Sequence, residues 1–365
     1  MATLTFLRRM FGWLLLGAWP LAAVRLAWAG WGPITGGVDT EVAAGDASAV
    51  QVWASKIWYE ARREIYWAKF VKERDPNSII ESKTELDKKP GDIINFNLGR
   101  KLTGQGVRND ATLEGSEEAL TVYSDTVTLI QQRNAVRMAG RMSDKRTAYD
   151  QHKLAKDRLS VWLAEYIDDY IFTEMDSSPS TVVFAGTATS TATLAATDLL
   201  TPALIDRTIA KAKKAAPKLH PVKLDGRELY VVILHTDVAY DVKINANSGV
   251  WQTVQQYAGV RDLMNNRIFN GSLGYWGGAV LHEHEKVPTA INWGSGSNVN
   301  GASNMFLAKQ AGVFAWGARP EAWEQRFDYG SKSGFAIGAI FGFTKAVFNS
   351  VDNGFIAIRT ARTST

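Results

Sequence analysis

The sequence predicts a mixed α+β fold, and three features carry that expectation. A single apolar stripe recurs at helical spacing between Asp144 and Met175, and short runs of strand character separated by turn residues begin near Ile79. About the last 60 residues read as strand, so both element types are well represented. The 365 residues suffice for one large domain or two to three modules, and a composition of 46% hydrophobic and 21% charged side chains excludes global disorder. There is no cysteine, which excludes disulfides, thiolate metal sites and cysteine nucleophiles. No internal repeat is present.

Residues 1–37 have the grammar of an export signal: Arg8-Arg9, an apolar stretch from Phe11 to Val24, and Ala27-Trp28-Ala29 as a cleavage site. The apolar run, broken by Pro20 and ended by Arg25, is short for a membrane span. A second account is a start assigned too far upstream, because Val38 opens an acidic, small-residue stretch suited to a natural N-terminus. This segment also distorts the net charge of +4: it contributes three of the 41 basic residues and no acid, leaving 38 against 37. Such a balance lacks the clustered Lys and Arg excess of a protein that grips nucleic acid by charge. The short run Lys211-Ala212-Lys213-Lys214 reads as a solvated helix end that complements the dipole.

From Val50 to Phe70, Trp53, Ile57, Trp58, Ala61, Ile65 and Phe70 recur near helical spacing, giving an amphipathic, aromatic helix suited to packing on a core or on a neighbouring subunit. Asp75-Pro76-Asn77 ends it, and IIESKTEL and DIINFNL follow as strands around the turn Lys89-Pro90-Gly91-Asp92. A long polar loop, TGQGVRNDATLEGSEE, precedes a further strand run, TVYSDTVTLIQQRNAVRM. Gly104 and Gly106 are no dinucleotide fingerprint, since the third glycine and the following helix are missing. Ser143 is placed to cap the long helix, whose stripe comprises Leu159, Trp162, Leu163, Tyr166, Ile167, Tyr170 and Ile171. Spanning Asp144 to Met175, it would be about 45–48 Å long. Asp168 and Asp169 are expected on its solvent side. STATLAAT reads as an exposed loop, Thr201 caps a helix with Pro202 in its first turn, and ELYVVILHT is a buried strand. A helix around VWQTVQQYAGVRDLM and the strands of the C-terminal region complete the chain.

The densest chemistry is LHEHEK, residues 281–286. In a strand, His282 and His284 would face one way and Glu283 and Glu285 the other, so the four cannot converge on one ion. The helical zinc spacing, the G-x-S-x-G elbow and the P-loop are all absent. His220 and His235 stand alone, and catalytic, metal and cofactor-binding residues are expected to be none. A metal-dependent enzyme using His282 and His284 is the weakest reading, and an exported cell-envelope structural protein rests on residues 1–37 alone.

Several stretches in consistent order carry a resemblance: VWASKIWYEARREIYWAKF, KTELDKKPGDIINFNLGRKLTGQGV, TLEGSEEALTVYSDTVTLIQQRNAVRMAGRMSDKR, KDRLSVWLAEYIDDYIF, IFNGSLGYWGGAVLHEHEKVPT and RFDYGSKSGFAIGAIFGFTKAVFNSVDNGFIAI. Together they cover most of residues 50–360 and resemble the major capsid proteins of the N-four-like podophage family. The resemblance implies the Hong Kong 97-type tailed-phage capsid fold, with no enzymatic activity and no cofactor. It divides the chain into an atypical hydrophobic extension (1–37), an N-terminal arm (38–78), an extended hairpin loop with flanking peripheral-domain strands (79–141), a spine helix with peripheral domain (142–199), an axial domain (200–315) and peripheral-domain C-terminal strands (316–365). It also implies self-assembly into hexamers and pentamers of an icosahedral shell enclosing double-stranded DNA, in the virion and, during assembly, in the host cytoplasm. No membrane is implied; scaffolding, decoration and portal proteins are further partners it leaves open.

The assembly residues expected on this reading are Trp53, Trp58, Arg62 and Arg63 in the arm, Gly104, Gly106, Asp110, Glu114, Glu117 and Glu118 at the hairpin tip, and Lys145 and Arg146 before the spine helix. Glycines, with Gly115, let the tip bend. Its acids are expected to meet Arg62, Arg63, Lys145 or Arg146 of an adjacent copy.

Overall fold

The computed structural model describes residues 65–86, 90–99, 101–224, 226–245 and 271–363. After a 3-10 turn (Tyr66–Lys69) come β1 (Val71–Glu73), β2 (Ile80–Lys83), β3 (Ile93–Gly99), β4 (Val122–Thr128) and β5 (Ile130–Arg137). Helices α1 (Arg141–Arg146) and α2 (Gln151–Met175) follow, then β6 (Val182–Phe184), α3 (Pro202–Lys214), β7 (Val222–Leu224), β8 (Arg227–Leu234) and α4 (Thr236–Asn245). The remainder is strand: β9 (Ser272–Trp276), β10 (Ala279–Glu283), β11 (Thr289–Trp293), β12 (Val299–Leu307), β13 (Gly312–Phe327), β14 (Lys332–Lys345), β15 (Val347–Phe348), β16 (Val351–Asp352) and β17 (Phe355–Ala361).

Two main sheets result. One runs β1-β2-β13-β14-β5; the other runs β6-β17-β12-β8-β10-β9, with β11 on β12 and β7 on β8. Alternation along β14 sends Phe335, Ile337, Ala339, Phe341 and Phe343 to one face, where α2 packs with Leu159, Leu163, Ile167, Ile171 and Met175. The second sheet is apolar on both faces, as the unbroken run in β8 predicts. Val231, Ile233, Met305 and Leu307 join the core that contains α2, and Tyr230, Val232, Leu234 and Phe306 join a core covered by α3 and α4.

The long helix is shorter than its periodicity predicts. Thr147 turns extended, with φ −96° and ψ 138°, and its hydroxyl donates to the carbonyls of Ser143 and Asp144, so α1 ends there. Ser143 lies inside α1, and Asp150 caps α2, accepting from the backbone N–H groups of His152 and Lys153. The 25 residues of α2 span about 37 Å. Replacing Asp150 with alanine is expected to lower unfolding stability by about 1 kcal/mol, read in a denaturant titration. By contrast, Thr201 and Pro202 start α3 as the sequence predicts, the threonine hydroxyl accepting from Leu204 N–H.

Other departures concern partners rather than elements. The strand run through residues 121–138 divides at Leu129: β4 pairs only with β3, and β5 joins β14. Of the strands after residue 316, β17 parts from β14 and lies between β12 and β6 in the second sheet. Residues 65–70 form a 3-10 turn instead of helix, with Trp67 and Phe70 buried in the core. The rest of the aromatic N-terminal helix, the segment 1–37 and the helix expected around residues 251–264 lie outside the described residues. Among the described residues, no helix is long and apolar enough to cross a membrane.

Candidate functional site

Among the described residues, the ribbon β3–β4 and the loop at its end are largely uncovered by the rest. At its base Ile94 and Val127 are buried against Val313 and Ala315, and Phe96 meets Phe348 edge-on with ring centroids 5.7 Å apart. Beyond that anchor both faces open: Lys101–Val122 is exposed throughout, apart from a half-buried Val107. Leu102, Leu113, Leu120 and Val122 are among the exposed large apolar side chains, with Leu120 at 71%. An isolated two-stranded ribbon is marginal in water, and four exposed aliphatic side chains add to the reason for a covering surface.

The loop nevertheless has internal order. The Glu118 carboxylate accepts from the backbone N–H of Thr103 at 2.8 Å and of Gly104 at 2.5 Å, and from the Thr103 hydroxyl. A Cβ on Gly104 would lie 2.8 Å from the Glu118 carboxylate, so this glycine serves close approach. Gly106 and Gly115 hold left-handed backbone at φ +66° and +86°, as bending of the tip requires. Glu117 accepts from Gly115 N–H. Two of the four expected acids thus stabilise their own loop, while Asp110 and Glu114 make no ion pair among the described residues. Lys145 and Arg146 are exposed at the end of α1, a helix with no buried residue. Trp53, Trp58, Arg62 and Arg63 lie outside the described residues. The exposed leucines were legible as isolated apolar letters in a polar loop.

LHEHEK forms a different structure. Its strand ends at Glu283, and both histidines meet the Tyr66 ring, the shared side that alternation predicts. His282, fully buried, places Nδ1 3.1 Å from Lys69 Nζ. An ammonium only donates, so the ring nitrogen accepts and the imidazole proton sits on Nε2. His284 stacks on Phe172 with centroids 4.8 Å apart and meets Tyr66 at 4.2 Å. Glu283 pairs with Lys243, and Lys286 with Asp169 at 3.0 Å. Among the described residues, no group of three His, Asp or Glu side chains could hold a metal ion.

Asp168 corrects the expectation of a solvent-facing helix surface. It is only 6% exposed, because the 3-10 turn folds over that flank of α2. Its two oxygens accept the backbone N–H groups of Tyr66 at 2.8 Å and Trp67 at 3.3 Å. Burial raises its pKa to about 6, against the opposing pull of those two bonds. Burial likewise lowers Lys69 to about 8, offset in part by Asp168. The cluster joins the start of the described chain to α2 and β10, and the geometry is that of an anchor.

A family model described as phage capsid protein matches residues 41–185 and 177–363. The major capsid protein of Pseudomonas phage KPP25 is 28% identical over 345 residues, covering 82% of this chain and 90% of that relative. Among solved structures, the capsid of Ralstonia phage GP4 superposes with a TM-score of 0.79 at 31% identity, covering 90% of this chain and 99% of that one. The Cyanophage Pam1 capsid asymmetric unit gives 0.75 at 21% identity, covering 89% and 100%, a likeness that bears on the fold alone.

Proposed function

Since the chain belongs to the phage capsid protein family, as a major capsid protein of a tailed bacteriophage with the mixed α+β fold of Hong Kong 97-type shells, we propose that its copies assemble through the reaching ribbon β3–β4. Hexamers and pentamers would close an icosahedral shell around double-stranded DNA, assembled in the host cytoplasm. The observation that carries this is the ribbon itself: 20 or so residues at its end expose leucines on a scaffold that does not cover them.

On this reading α2 is the spine helix, the sheet it packs against is the peripheral layer, and the sheet covered by α3 and α4 is the axial layer. β17 and β6 then belong with the axial layer, whatever their position in sequence. The ordered stretches quoted above support placement in the N-four-like podophage lineage. This reading leaves scaffolding, decoration and portal proteins open as further partners. A nearly neutral charge outside residues 1–37 suits a wall that encloses DNA without gripping it.

Negative-stain microscopy of the expressed protein tests the reading. Shells, rings or tubes are the expected result. A monodisperse monomer under every assembly condition, including crowding agents and divalent cations, would defeat it.

A further inference from the structure

Strand β6 lies at one end of the second sheet, so one of its backbone edges faces away from β17. The Thr181 carbonyl accepts from Ala357 N–H at 3.1 Å, and Ala185 N–H donates to the Arg359 carbonyl at 3.0 Å. Alternate residues, Thr181, Val183 and Ala185, therefore turn their backbone groups toward β17. The carbonyls of Val182 and Phe184 turn outward. Neither is left bare, because α3 runs past them. Lys211 donates to the Val182 carbonyl at 3.0 Å, and the Arg207 guanidinium donates to the Phe184 carbonyl. The spacings match: four residues of helix rise about 6 Å, and two residues of parallel strand advance about 6.6 Å. Lys211 thus departs from the solvated helix end expected of the run 211–214, in which Lys213 and Lys214 are exposed.

The stretch that supplies this edge explains why it needs cover. Residues 177–197 contain no charged side chain, and Thr181-Val182-Val183-Phe184 is β-branched and aromatic throughout. Open strand edges of that composition template pairing with other chains. The end strands of the other main sheet carry charges of their own, Lys72 and Glu73 in β1 and Arg133 and Arg137 in β5. β6 has none, so its charges arrive from another element. We propose that the outer edge of β6 is a strand-acceptor site, which Arg207 and Lys211 hold shut against the same edge of a second copy. Uncapped, two such edges would pair about a two-fold axis, each offering the groups that the other lacks. The inference stands apart from the self-assembly reading, since it concerns a contact between copies that the fold prevents.

Removing both donors in the full chain tests the proposal. Arg207→Met with Lys211→Met keeps an aliphatic stem and good helix propensity at each position while deleting charge and donor. At a concentration where the unmodified chain stays clear, sedimentable, thioflavin-binding material should rise about fivefold or more. Negative-stain microscopy separates that material from shells. Exchanging the cations (Arg207→Lys with Lys211→Arg) keeps a donor at each carbonyl and should leave the unmodified level. Adding Thr181→Lys to the methionine pair puts a charge into the strand itself and should also return association to that level. This addition distinguishes an opened edge from general unfolding, which a charge at residue 181 would not reverse. The proposal is overturned if the methionine pair associates no more than the unmodified chain. Persistence of its association with Thr181→Lys, or equal association of the exchanged pair, overturns it as well.

Discussion

Asp168→Ala is expected to destabilise the fold by about 2–4 kcal/mol at pH 5, because it strips the acceptors from two N–H groups at the anchor. One of them belongs to Trp67, which is fully buried, so water cannot replace the lost carboxylate without opening the core. The penalty should shrink as pH rises. With its folded-state pKa raised to about 6, Asp168 holds a proton in the native protein that the unfolded chain releases near pH 4. Its contribution is therefore fully present below about pH 4 and is lost as pH climbs to about 6, a change of up to about 3 kcal/mol for a two-unit shift. Lys69 acts in the opposite sense: lowered to about 8, it disfavours the folded state at neutral pH and stops doing so as pH rises from about 8 toward its ordinary value. The anchor should thus be least stable between about pH 6 and 8, where both groups carry charge. Asp168→Asn keeps an acceptor oxygen and removes the titration, so its stability relative to wild type should improve from pH 5 to pH 8. Denaturant unfolding at the two pH values is the measurement; an equal penalty at both for Asp168→Ala would refute the proton account.

Asp352→Asn should destabilise by about 3–5 kcal/mol, since it leaves the Lys345 ammonium buried without its counter-charge. The pair is 6% and 2% exposed, with Nζ 3.0 Å from Oδ1. Lys345 also donates to the carbonyl of Ser177 at 2.6 Å and lies over the Phe355 ring at 5.2 Å. Asp352 accepts from Ser180 N–H at 2.7 Å, a bond that asparagine retains by turning its amide NH2 toward Nζ, so donor–donor repulsion adds to the lost charge. The location explains the stake. Lys345 ends β14 in one sheet, Ser177–Ser180 lead from α2 into β6 of the other, and Asp352 precedes β17. Two of the crossings between sheets are thus pinned by one ion pair. Adding Lys345→Met should recover much of the loss, because the uncompensated charge is then gone. A single-variant loss below about 1 kcal/mol, or a double variant worse than Asp352→Asn, would refute this reading of the joint.

The sequence alone determined the local features and the assignment as a major capsid protein of a tailed phage. Thr201-Pro202 started a helix, the apolar run at 229–234 made a strand buried on both faces, and the polar letters of 103–118 made a loop. In each case the signal and the structure it specifies lie within one turn of helix or one strand. The ordered capsid-like stretches worked for a related reason, since many weak local matches in one order are collectively specific. What only the tertiary structure decided is who partners whom. Asp168 and Tyr66 are 102 residues apart, Ser180 and Asp352 172, and Lys69 and His282 213. Helical spacing put Asp168 among charged neighbours on a solvent face and had no means of showing that a distant turn would cover it. Likewise the run at 121–138 carries one unbroken strand pattern, yet its two halves hydrogen-bond to different partners. Strand pattern reports which face a side chain takes; the neighbouring strand is chosen by the packing of the whole core, and no window of adjacent residues contains that information.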